Sequence, residues 1–341
     1  MIRATFLALA ILFGLVGGAG FATPVQAAAR GPNADLAEIS AYTAAQQQVV
    51  TDASGLISLL VQGIKTVGQF PQTAQGARDG KRWADAWGAQ MLDRVQATKS
   101  WKSRLPPVPQ AAFDRQLAGL SPEMRALYAD MPARVEATMT SLISFVEKGV
   151  PLVQASAAGN DAARMGLAVE MFRGIRLMLD AERELLEGSI SGMPANHPQS
   201  SLSKCMLANN RATAFYLDYL IAVVAGEAPD GLKLAASIRA QTAVVRTQAA
   251  TTDRLAKGLI GELRRRTLVD PMTPRLIRMF ETYDESTNVE VRVADFFDDV
   301  AVAMESGSLD LADNELRAAK IQGLSERRMA LHAERLAAVR P

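Results

Sequence analysis

The chain has 341 residues, 37 basic and 36 acidic side chains, 49% hydrophobic residues and one cysteine. A balance this close to neutral provides no bulk attraction for nucleic acid or an anionic membrane, so no nucleic-acid partner is expected. The lone Cys205 excludes an intramolecular disulfide and a thiolate metal cluster, and its apolar helical setting reads as a buried, inert thiol.

The first residues read as a secretory signal peptide over 1–27. Met1–Arg3 carry one positive charge, Ala4–Val16 are apolar, and "TPVQAAA" follows. Val25 and Ala27 meet the small-residue rule at −3 and −1, so cleavage is expected after Ala27, with Ala28 and Ala29 as the neighbouring alternatives. The competing reading is a retained anchor, because Ala4–Thr23 approaches the roughly 20 residues needed to span a bilayer. Glycines, Pro24 and the clean cleavage pattern favour removal. No later apolar run reaches that length: Ala212–Ala225 comes nearest and is interrupted by Asp218. The expected location is therefore periplasmic or secreted, in a bacterium, with no membrane insertion after cleavage. Loss of Arg3 and of no acid leaves 36 basic and 36 acidic residues.

The remaining pattern is helical almost throughout, with little β-branched alternation and few hairpin dipeptides. A first helix is predicted over about 32–68. A loop around Pro71–Gly80 precedes a second helix to about Arg104, with Asp79 as its N-cap. "LPPVP" at 105–109 forbids helix, because each proline lacks a donor and restricts its predecessor. Short helices near 110–118 and 122–130 and a longer one over Pro132–Ala158 follow, the last bent at Gly149–Pro151. Four long helices are predicted at about 161–189, 198–226, 231–267 and 274–305, with Asn160, Asp230 and Thr273 in cap positions. A charged helix over about 309–339 closes the chain. It either docks on the bundle or pairs with another chain, and docking is favoured.

Short connectors make consecutive long helices antiparallel neighbours. The predicted fold is all-α: elongated antiparallel helical bundles, with a four-helix bundle in the C-terminal half. The predicted division is an N-terminal helical region over 28–158 and a long-helix bundle over 159–341, since about 310 residues exceed the usual single core.

Charge rows suggest architecture. Glu281, Asp284 and Glu285, and then Asp295, Asp298 and Asp299, form two triplets at i, i+3, i+4 on roughly one helix side. Arg239, Arg246, Arg254, Lys257 and Arg264 form a basic row on the preceding helix. An antiparallel hairpin puts Lys257 opposite Asp284 and Arg246 opposite Asp295, so the rows neutralise one another as an interhelical seam. Asp298 and Asp299 are left without an obvious base, which keeps a small-cation or partner site open there. No calcium loop and no histidine pairing of a zinc site occurs, and neither metal nor cofactor is expected.

The stretch "CMLANNRATAFYLDYLIAVV" at 205–224 sets Asn209, Asn210, Arg211 and Asp218 in an apolar helix. A structural polar seam is the preferred reading, with Glu170, Asp180 or Glu182 facing Arg211. The alternative is an interhelical pocket lined by Asn210, Arg211, Tyr216, Asp218 and Tyr219. The Trp83, Trp87, Met91 stripe and Met165, Met171 and Met178 read as packing. Arg264–Arg266 suit a helix C-terminus. No nucleophile motif or phosphate loop appears, so no catalytic residue is assigned. The expected function is a non-enzymatic exported bundle working through a protein partner or self-association, as an accessory or scaffold of an envelope complex. The alternative is a sensory or ligand-binding bundle taking a small molecule.

Overall fold

The computed structural model describes residues 34–71, 73–118, 131–191, 193–265, 273–307 and 309, and single positions of the last segment between Gly323 and Ala338. The signal-peptide reading, the helix expected near 122–130, Arg266 and most of 309–322 lie outside the described residues. The helices are α1 (Ala34–Val67), α2 (Ala74–Lys99), α3 (Gln110–Leu117), α4 (Met131–Ala157), α5 (Asp161–Ser191), α6 (Pro198–Ala225), α7 (Gly231–Arg265) and α8 (Thr273–Glu305). A 3-10 turn, Ser100–Arg104, extends α2. The described regular structure contains no strand, so the fold is all-α, as the periodicity predicts.

One difference from the sequence reading concerns a helix start. α2 begins five residues before the expected Asp79 cap, because Thr73 adopts an extended backbone and accepts a hydrogen bond from the Gly76 amide at 3.0 Å. α6 is capped by His197, whose Nδ1 accepts from the Gln199 amide at 3.1 Å, with Pro198 in the first turn. Its other end closes on Gly226, in the left-handed region at φ 79°. At the start of α7, Asp230 Oδ1 accepts from the Lys233 amide at 2.9 Å, the capping role expected of it.

The chain separates into two compact units, with the division between Met178 and Leu179, inside α5 and later than the loop at 159. In the N-terminal unit, α1 buries Tyr42, Val49, Ala53, Leu56, Leu60 and Ile64, and α4 buries Val135, Met139, Leu142, Val146 and Val153. Both rows advance by three, four or seven residues and so keep one face inward. Glycine lets these helices meet closely. A Cβ at Gly149 would stand 2.3 Å from Leu60 Cδ2, and one at Gly63 would stand 2.4 Å from Trp87 Cζ2. Trp87 stacks on Trp83 with ring centroids 5.7 Å apart, and Phe70 lies beyond at 6.0 Å, so the tryptophan stripe packs within this unit.

In the C-terminal unit, α6, α7 and α8 pack against one another as a helical bundle, and the second half of α5 meets α6. One apolar cluster joins Leu202, Ala256, Leu263, Met279, Phe280 and Tyr283. A second joins Cys205, Ala208, Val245, Ala249 and Ala294. Small residues in the second cluster allow close helix approach, and the Cys205 thiol donates to the Val245 carbonyl at 3.5 Å.

Candidate functional site

The middle of α6 carries two adjacent amides into the bundle in different directions. Consecutive helical residues point about 100° apart, so Asn209 and Asn210 reach different neighbours. Asn209 Nδ2 donates to the Glu290 carbonyl of α8 at 3.1 Å and to its carboxylate at 2.8 Å. Asn210 Nδ2 donates to the Leu179 carbonyl of α5 at 3.0 Å and to the Glu182 carboxylate at 2.9 Å. Each amide bonds both a carbonyl and a carboxylate on one neighbouring helix, and so fixes the axial position of α6 against α8 and α5.

A guanidinium from the last segment completes the centre. Arg328 meets the Glu290 carboxylate at 2.5 Å, and their side chains are only 9% and 2% exposed. Such a pair is strongly coupled because little water screens it. The Arg328 charge also acts electrostatically on the second buried carboxylate, Glu182. Burial, the largest influence, raises the Glu182 pKa to about 7; the Asn210 donor and the Arg328 charge pull it down, and Glu290 pushes it up. Burial followed by the Glu290 charge also raises the Cys205 thiol. That is the chemistry of an inert cysteine rather than a nucleophile.

The five residues considered for a pocket are spread around α6. Asn210 and Tyr216 are buried, Tyr219 is half-buried, and Arg211 and Asp218 are exposed. Arg211 pairs with Glu187 at 2.9 Å, with side-chain exposures of 44% and 47%. Its partner is thus none of Glu170, Asp180 and Glu182. The acid belongs to α5 as expected, but it sits one turn or more further along.

The seam between α7 and α8 runs antiparallel. Arg239 pairs with Glu305 at 2.6 Å, Arg246 bridges Asp295 at 2.8 Å and Asp298 at 2.5 Å, and Arg264 reaches Glu281 at 3.3 Å. Asp298, which the sequence left without a base, also accepts from the buried Thr242 hydroxyl at 2.6 Å. Lys257 turns to Asp253 on its own helix at 2.8 Å, while Asp284 acts on it only as a lesser electrostatic influence. Glu285 leaves the seam and takes Arg327 of the last segment at 2.5 Å. Among the described residues, Arg254 and Asp299 are exposed and join no ion pair of this seam.

Among the described residues no group of three or more His, Cys, Asp or Glu side chains is arranged to hold a metal ion, and no helix is long and apolar enough to cross a membrane. No protein-family model, curated protein or solved structure matches the chain.

The residues that the sequence reading passed over are Glu290 and Arg328. Glu290 has a visible signature: it is the one charge in the inward row Phe280, Tyr283, Thr287, Glu290, Ala294 and Phe297 of α8. Arg328 has a weaker one, standing between Leu324 and Leu331 at heptad spacing.

Proposed function

We propose that this protein is an exported, non-enzymatic helical bundle that works by binding another protein, as an accessory or scaffold of an envelope complex. The supporting observation is how its conspicuous polar residues are used. Asn209, Asn210, Glu182, Glu290 and Arg328 bond one another across helices, and Arg246, Asp295 and Asp298 do the same on the outside. These groups set helix register, a use of buried polarity well suited to presenting fixed surfaces. The leader pattern at 1–27 motivates the envelope location.

The test is cross-linking in the native host. A chain carrying a photo-reactive residue at exposed positions of α7 and α8 is expected to capture the same envelope protein reproducibly. N-terminal sequencing is expected to start at Ala28, Ala29 or Arg30. A strictly monomeric chain that captures no specific partner would overturn the interaction role, and a mature chain retaining residues 1–27 in the cytoplasm would overturn the location.

A further inference from the structure

The last segment docks through a repeating row. Leu324, Arg328, Leu331, Arg335 and Ala338 recur at steps of four, three, four and three, which sets them on one helical face. Leu324, Arg328 and Leu331 are buried, and Arg335 and Ala338 are half-buried. The receiving row lies on α8 and runs the opposite way. Arg328 meets Glu290, and the Arg335 guanidinium lies 4.4 Å from the centroid of the Tyr283 ring. Arg328 and Arg335 are one heptad apart, as are Glu290 and Tyr283, so the two rows match position for position. Arg335 also donates to Ser286 Oγ at 2.5 Å, to Thr282 Oγ1 at 3.1 Å and to Gln199 Oε1 at 3.2 Å. α6 therefore closes the other side of the groove, with Asn209 at one level and Gln199 at the other.

Two features suit this docking to displacement by a competing helix that brings its own cation. First, arginine at alternate core positions of a heptad row specifies register at a cost in stability. The three oxygens that receive Arg335 are all neutral, and burial lowers its pKa. Second, the groove keeps its own hydrogen bonds when the segment leaves. Ser286 donates to the Thr282 carbonyl at 2.8 Å, Thr282 to the Met279 carbonyl at 2.7 Å, and Tyr283 to Gln199 at 2.9 Å. Asn209 continues to hold Glu290. Departure uncovers a polar row with one carboxylate in need of a cation, and no stranded donor on these three hydroxyls.

We propose that the α6–α8 groove is the partner-binding surface, and that the partner is a protein helix carrying leucine and arginine in the same four–three alternation, which displaces the C-terminal segment. This rests on the interaction role proposed above and names the surface for it. The mode is helix-in-groove recognition with charge complementarity. The cis segment acts as a competitor, so the groove's apparent affinity is reduced by the fraction of molecules in which it is covered.

A fluorescent peptide of residues 309–341 serves as the probe, titrated by anisotropy into the full-length chain. The full-length Arg328→Gln/Arg335→Gln chain, whose own segment is weakened, is expected to bind it at least tenfold more tightly than wild type. Adding Glu290→Gln to that chain is expected to abolish binding. Equal affinity for wild type and the double variant, binding to neither, or binding that survives Glu290→Gln would each overturn the proposal. If circular dichroism shows that the double variant loses helix, Arg335→Gln alone, at the half-buried end of the row, replaces it under the same criteria. Failure here, alongside a partner still captured by cross-linking, would leave the interaction role standing and remove this groove from it.

Discussion

Replacing Glu182 by glutamine removes a buried charge while nearly preserving shape, and the consequence depends on pH in a definite direction. The carboxyl's pKa stands at about 7 in the folded chain, against 4.5 for an ordinary glutamate, with burial the largest cause. A carboxyl raised in this way binds more protons folded than unfolded, so stability falls as pH rises through the window between those two values. The penalty is nearly absent below about pH 4.5 and complete above about pH 7. At about 1.36 kcal/mol per unit, the full shift is worth about 3 kcal/mol, most of which develops between pH 5 and pH 8. Urea denaturation of wild type and Glu182→Gln at the two pH values measures this directly. The glutamine chain is expected to gain about 2–3 kcal/mol relative to wild type on moving from pH 5 to pH 8. Groups elsewhere cancel in the comparison. A stability difference independent of pH would show that Arg328 and Asn210 fully compensate the ionised carboxylate, and would refute the reasoning.

Glu290→Ala leaves Arg328 buried without its counter-charge and is expected to cost about 3–5 kcal/mol, whereas Glu290→Met/Arg328→Met should recover most of the loss; chemical denaturation of the three chains decides this. Gly149→Ala forces a methyl into Leu60 and is expected to lower stability by about 1–3 kcal/mol, read as a drop in Tm of the N-terminal unit. His197 accepts its capping bond only when neutral, and burial lowers its pKa. Its stabilisation is therefore lost as pH falls below the ordinary histidine value. His197→Asn keeps a capping oxygen and is expected to flatten the acid limb of the stability profile, measured from pH 7 to pH 5.

Much of the fold was legible because helical periodicity is a local property. The bounds expected for α1, α4, α6, α7 and α8 lie within two residues of those found. The first cap was misplaced because Thr73 and Asp79 are both good capping residues, and the choice turned on which of them could take an extended backbone at the helix start. The amide pair Asn209 and Asn210 stood out as polar residues in an apolar helix. Their acceptors did not, because Glu182, Glu290 and Arg328 lie on three other segments, and one-dimensional spacing carries no information about which turn of a neighbouring helix lies opposite.

Residue type and period alone determined that this chain would be helical, which faces would turn inward and that its charges would fall in rows. Both signals survive because an α-helix converts sequence spacing into direction within one or two turns. Register was decided only on assembly. Arg246 serves Asp298 as well as Asp295, Glu285 serves Arg327, and Arg211 serves Glu187. A slide of one turn between helices leaves every periodicity unchanged and alters every partner; packing of the side chains between them selects which slide is stable.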